Sequence, residues 1–192
     1  MKIMNRLIPL LLFTSGFIFL SLQGKGQITH YGVGITATDG TTIETNDDQY
    51  YTSSLGVTFK TGIEIDKNLL LLPKLSVFLP ETEERTNGEA KTMLSDLSIN
   101  LHKTNNPRDL IRTYLFGGIN FSGWYVQDKN TGVIGEVDYE KFGLDVGLNA
   151  GAGLCFNIKH DMELFIEAGY LKYITSEYGQ IMGSVGINFV VD

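Results

Sequence analysis

A single cysteine, Cys155, is all that this chain of 192 residues contains. That count excludes a disulfide framework and a cysteine-ligated zinc ribbon. Basic residues are scarce as well: 15 Lys and Arg stand against 22 Asp and Glu, a formal charge of -7. A nucleic-acid binder needs a basic patch to neutralise phosphates, and none is available here. Charged residues make up only 19% of the chain and proline only 4 positions, yet 43% is hydrophobic, too much for a disordered tail. Glycine is what the chain has in excess, 22 residues against the usual ~7%, together with 9 Tyr and 11 Phe. An aromatic, glycine-rich, weakly charged composition of this length suits one domain built from β-structure.

The amino terminus reads as an address. Lys2 and Arg6 form a short positive region, Leu7 to Leu22 is nearly all apolar, and Gly24-Lys25-Gly26 offers small residues at a cleavage site before Gln27. This is the pattern of a secretory signal peptide, residues 1–26, and its apolar stretch is short for the ~20 residues of a spanning helix. With no Cys near the cleavage site, a lipid anchor is not expected. Removing those residues takes away three basic groups and no acidic ones, so the mature chain, 27–192, carries 12 positive and 22 negative charges, or -10.

Period-two alternation runs through the mature chain. From Tyr51 the odd positions are Tyr51, Ser53, Leu55, Val57, Phe59, Thr61, Ile63 and Ile65, and the even ones are polar or glycine. Such alternation is the signature of a strand with one apolar face. It recurs at Thr29–Ala37, Leu69–Leu79, Met93–Leu101, Ile111–Tyr125, Phe142–Phe156, Met162–Tyr170 and Ile181–Val191, which makes eight strands. The connections alternate between long polar ones (38–49, 80–91, 126–141, 174–179) and shorter ones (66–68, 103–110, 157–161). An up-and-down antiparallel barrel places long loops at one end and turns at the other in this way.

The composition of the polar face decides where the apolar face points. In the sixth strand Phe142, Leu144, Val146, Leu148, Ala150, Ala152, Leu154 and Phe156 share one face, and Gly143, Asp145, Gly147, Asn149, Gly151, Gly153 and Cys155 the other. Glycines weaken a strand and gain nothing from facing water. Inside an eight-stranded barrel, where side chains just fill the lumen, they make room for large partners, and Arg112, Tyr114, Phe116, Asn120 and Trp124 of the fifth strand supply these. The apolar face then lies outside, where it needs a bilayer. Tyr31, Tyr51, Tyr125, Phe142, Phe156 and Phe189 fall near strand ends in the outward phase, as interfacial girdles require. A soluble lipocalin-like lipid carrier is the alternative that turns the apolar face inward.

Eight alternating strands behind a signal peptide, ending in Ser184-Val185-Gly186-Ile187-Asn188-Phe189-Val190-Val191-Asp192, resemble the small bacterial outer-membrane β-barrel family of OmpX and the OmpA barrel domain. The resemblance covers the mature chain. It implies an outer-membrane protein with its amino terminus and short turns in the periplasm and its long acidic loops outside. It also implies that Ser184, Gly186, Phe189 and Val191 form the carboxy-terminal signal read by the barrel-assembly machinery. Val191 stands where an aromatic is usual, and Asp192 follows it.

Some barrels of this kind are enzymes, so proton carriers merit a search. His30, His102 and His160 all fall at the short-turn end, without a His-x-x-x-His spacing, and read as solvated interfacial residues; no catalytic, cofactor or metal site is expected. Gly147–Gly153 lies inside a strand with no helix after it and reads as lumen packing, with Cys155 a small buried filler. Asp39, Glu44, Asp47 and Asp48, with Glu81, Glu83, Glu84 and Glu89, make the long loops acidic. They suit divalent cations at a lipopolysaccharide surface, although keeping the loops solvated explains them more simply.

The inward phase holds a set of charges: Lys60, Glu64, Lys74, Asp96, Arg112, Asp145, Glu163 and Glu167. Groups withdrawn from water persist as ions only when paired. Closing the Asp66–Asn68 turn sets Lys60 opposite Lys74, with Asp96 and Glu64 as their nearest carboxylates. Arg112 is expected to reach Glu163 or Glu167 across the glycines of the sixth strand. The function expected from all this is a structural or surface-interaction role in the outer membrane without an open pore. An accessory subunit of an envelope secretion or transport complex is the runner-up. Lipid and lipopolysaccharide are the expected surroundings and an envelope protein a possible partner.

Overall fold

Alternating residues of opposite polarity give a strand two unlike faces, and eight such strands in succession curl into a ring that keeps one face inside and the other outside. The computed structural model describes residues 28–39, 42–44, 49–52, 55–85, 88–105, 110–130, 137–175 and 178–191. The expected leader, 1–26, lies outside the described residues. The strands are β1 (Ile28–Thr38), β2 (Thr42–Glu44), β3 (Gln49–Tyr51), β4 (Leu55–Asp66), β5 (Leu69–Phe78), β6 (Glu81–Arg85), β7 (Gly88–Asn105), β8 (Ile111–Asn130), β9 (Val137–Lys159), β10 (Met162–Tyr173) and β11 (Gly179–Val190).

Eight of these, β1, β4, β5, β7, β8, β9, β10 and β11, pair antiparallel with their neighbours in that order, and β11 pairs back onto β1 to close the ring. Closure satisfies the backbone donors and acceptors of the ring without water, which a lipid environment requires. The outward residues match that environment. Ile35, Leu115, Phe142 (63% exposed) and Leu148 are among the large apolar side chains left exposed, whereas the inward face carries most of the buried polar groups. That distribution overturns the lipocalin-like alternative, which needs its apolar face inside.

Aromatic pairs mark both ends of the exposed apolar band. Tyr31 faces Phe189 across β1 and β11 at the short-connection end, and Tyr125 faces Phe142 across β8 and β9 at the other. Phe156 is half-buried, and the side chain of Tyr51 lies outside what is described.

Three strands run furthest past their expected bounds. β7, β8 and β9 have 18, 20 and 23 residues, where ~9–11 suffice to cross a bilayer. Beyond the Tyr125–Phe142 pair, β8 and β9 stay paired from Val126↔Lys141 to Asn130↔Val137, a sheet extension of roughly 17 Å at ~3.3 Å per residue. Two of the expected long loops also contain strands. β6 follows β5 after a break at Pro80 and pairs with β7 from Glu81↔Thr92 to Arg85↔Gly88, and the first connection folds as the β2–β3 hairpin. β6 is polar on both faces, and β2 and β3 are three residues each, too short for an alternation to stand out; backbone pairing to a neighbour holds these segments extended.

That hairpin roofs one mouth of the barrel. Ile43 and Tyr50 are buried against Ala90 of β7 and Val126 of β8, with Trp124 packed beneath, and the Tyr50 hydroxyl donates to Asp128 Oδ2 at 3.0 Å.

Candidate functional site

The lumen is where the chain concentrates its buried polar and ionic groups, and the glycine face of β9 decides its shape. Register sets Tyr114 opposite Gly153, Phe116 opposite Gly151 and Trp124 opposite Gly143. A Cβ on any of these three glycines would run into the ring facing it. Each of these three rings therefore lies over a position where β9 has no side chain. On the opposite wall Gly34 faces Gly186, and Phe165, fully buried, occupies the space they leave.

At the centre is a five-group cluster built around ions. Lys60 and Lys74 are cross-strand neighbours on β4 and β5, a repulsive arrangement by itself. Glu167 of β10, 4% exposed, reaches from across the lumen to both: its Oε1 lies 2.6 Å from Lys60 Nζ and its Oε2 3.4 Å from Lys74 Nζ. The Tyr114 hydroxyl donates to the same carboxylate at 2.8 Å. Lys60 Nζ also lies 3.3 Å from the centre of the Phe165 ring, within cation–π range.

Asp96 and Glu64, the carboxylates expected beside these lysines, are elsewhere. Glu64 is exposed at the short-connection end. Asp96 is buried one level up, where Gln180 Nε2 donates to its Oδ2 at 3.4 Å. The reason is the curl of the sheet: a residue three strands away around the ring becomes a nearest neighbour through the lumen, which strand adjacency alone does not reveal.

Towards the short-connection end, Arg112 pairs with Glu163. The residue opposite Arg112 on the intervening strand is Cys155, not Gly151 or Gly153, which lie under the two rings. Cys155 is small enough to be crossed. Asp145 stands apart from the other charges: Trp124 Nε1 donates to its Oδ2 at 2.8 Å and the Thr175 hydroxyl to its Oδ1 at 2.7 Å.

The histidines divide. His160 is exposed and His30 half-buried beside Thr29, but His102 is 4% exposed and stacked on Tyr114 and Phe116 at 5.0 and 5.2 Å. The expectation that all three are solvated fails for His102, because β7 runs on to Asn105 and carries it into the lumen. Sequence reasoning also missed the neutral network above the ions. Asn120 Nδ2 donates to Ser98 Oγ at 2.9 Å, Ser122 Oγ to Asn120 Oδ1 at 2.7 Å, and the Thr38 hydroxyl to Gln180 Oε1 at 3.3 Å. Buried Ser, Asn and Gln at inward alternate positions were the signal for it.

The carboxy-terminal residues split by face. Ser184 points inward and donates to Thr36 Oγ1 at 3.1 Å, Gly186 lies against Gly34, and Phe189 and Val191 are exposed on the outer surface.

A closed ring of eight antiparallel strands is also what structural comparison finds. Neisserial surface protein A superposes with a TM-score of 0.60 over 88% of this chain and 100% of that one, at 12% identity. The chain has the fold of the small outer-membrane β-barrels. Ail, the attachment invasion locus protein of Yersinia pestis, matches with a TM-score of 0.55 over 86% of this chain and 100% of its own, at 13% identity. A major outer membrane protein from Thermus thermophilus gives 0.62 over 86% and 100%, at 8% identity. No protein-family model and no curated protein matches the sequence. The likeness is one of barrel architecture, which outward apolar and inward polar residues can maintain while the sequence changes almost completely.

Proposed function

We propose that the chain is an integral protein of the bacterial outer membrane whose role is structural or exercised at its surface, and that its lumen is not a pore. The observation carrying this reading is the filling of the barrel at successive levels: the Arg112–Glu163 pair, the Glu167 cluster with Phe116 and Phe165, the Asn120 network, Trp124, and the Ile43–Tyr50 roof. In this reading the short turns and the amino terminus face the periplasm, the long acidic connections face outward among lipopolysaccharide, and the barrel-assembly machinery inserts the chain through its last strand. No catalytic role enters it.

The extension of β7, β8 and β9 beyond the aromatic pair supports a contact with another envelope protein, as an accessory subunit would make. Ail has been crystallised with the heparin analogue sucrose octasulfate. The -10 charge of the mature chain argues against a comparable polyanion here. Cell fractionation with gels of unboiled and boiled samples tests the membrane assignment. The barrel is expected in the outer-membrane fraction with heat-modifiable mobility, because it has no free edge at which detergent can begin to unzip it. Soluble protein with unchanged mobility would refute it. Co-purification of a stoichiometric envelope protein from native membranes would favour the accessory-subunit reading.

A further inference from the structure

The lumen wall holds two amides on either side of a glycine. Around the ring, Leu72 of β5 faces Asn100 of β7, Asn100 faces Gly118 of β8, Gly118 faces Asn149 of β9, and Asn149 faces Leu171 of β10. Both asparagines and both leucines are buried, with Asn100 2% and Asn149 5% exposed. Asn149 has no hydrogen-bond partner for Oδ1 or Nδ2, and Asn100 has none for Oδ1. The neighbouring side chains supply none. Leucines flank the pair across the sheet, Gly147 and Gly151 are the inward neighbours of Asn149 along β9, and Asn120, next to Gly118 on β8, is engaged by Ser98 and Ser122. The Asn100 oxygen leans over Gly118, 2.4 Å from where a Cβ there would stand. Cross-strand Cβ positions lie ~4.5–5.5 Å apart, so Asn149 begins about one small molecule beyond that oxygen. Buried polar atoms without partners carry their full desolvation penalty.

We propose that the space over Gly118 is a binding site for one water molecule, which donates to Asn100 Oδ1 and Asn149 Oδ1 and accepts from Asn149 Nδ2. The three atoms define the ligand: it has to donate twice and accept once. Water does both, and about three hydrogen bonds is usual for a buried water. A cation would suit the two oxygens but face the Nδ2 donor, and the lumen has no charge left to offset it. Lys60, Lys74 and Arg112 are already matched in number by Asp96, Glu163 and Glu167. Bound there, the water ties β7 to β9 through the gap that Gly118 leaves in β8.

The test combines urea unfolding of the barrel in micelles with a crystal structure at a resolution that shows ordered water. Asn149→Leu removes two of the three partners and strands the Asn100 oxygen, so the urea midpoint should fall by roughly 0.5 M or more. Adding Asn100→Leu removes the last partner, and the doubly substituted barrel should recover most of that shift. A dry seat gives the opposite sign, because a leucine then replaces an amide that was unsatisfied from the start, and the single substitution raises the midpoint. The wild-type crystal should show a solvent peak at hydrogen-bond distance from Asn100 Oδ1 and from both amide atoms of Asn149, a readout that stands even if the variants do not fold. A raised or unchanged midpoint in Asn149→Leu would overturn the proposal. So would a crystal in which the two amides bond directly with no peak between them, or a peak with the shorter contacts of a metal cation.

Discussion

Replacing Glu167 with Gln removes the charge that lies between Lys60 and Lys74 while keeping the shape of the side chain and an acceptor for Tyr114. With the observed separations of 2.6 and 3.4 Å, the gross attraction lost is ~6 and ~5 kcal/mol at an effective dielectric of about 20. In the native barrel, desolvation of three ions offsets much of that. Once the carboxylate is gone, nothing at the same distances offsets the two buried ammonium groups, and the expected cost is ~3–5 kcal/mol. Urea titration in micelles can follow this through Trp124, the one tryptophan in the chain, which reports from the lumen beside Asp145. With slopes of ~1–3 kcal/mol per molar urea, the midpoint should fall by at least ~1 M. A control removes all the charge at once: Lys60→Met, Lys74→Met and Glu167→Leu together should recover most of the loss, because an apolar replacement of a buried ion cluster is neutral or stabilising in many proteins. A Glu167→Gln cost below ~1 kcal/mol would show that the cluster is solvated and the lumen wet.

Three further substitutions probe the glycine face, the lipid face and the roof. Gly153→Ala should destabilise the barrel by ~1–3 kcal/mol through overpacking against Tyr114, and combination with Tyr114→Ala should make the glycine substitution nearly silent, as a double-mutant cycle in urea would reveal. Leu148→Arg, placed on the exposed apolar band, should cost ~2–4 kcal/mol of folding stability in lipid vesicles; a change near zero would place Leu148 away from the bilayer interior. Tyr50→Phe deletes the bond to Asp128 and should loosen the β2–β3 roof by ~1 kcal/mol, seen as faster proteolytic nicking of the first connection with the barrel itself unchanged.

How much of this was legible before the fold is clear from particular residues. The eight ring strands followed from alternation, and Lys60 opposite Lys74 followed from the short Asp66–Asn68 turn, because a tight turn converts sequence separation into register. The role of Gly143, Gly151 and Gly153 as room for Tyr114, Phe116 and Trp124 could be read from composition, since only a crowded interior rewards glycine in a strand. Glu167 as the partner of both lysines could not. Contacts across a lumen depend on closure and strand stagger, which no single hairpin specifies. His102 was misplaced by a strand-end error of four residues, because polar residues from His102 to Asn105 mask the continuation of β7. The β2–β3 roof and β6 escaped for a related reason: strands of three residues are too short to show a period, and β6 is polar on both faces, so neither leaves an alternation to detect.

The barrel's own side chains occupy its lumen, and planar-bilayer recording of the purified, folded chain is the sharpest check of that occupancy. At near-neutral pH no steady conductance attributable to this protein is expected. Reproducible porin-like steps would show an open lumen.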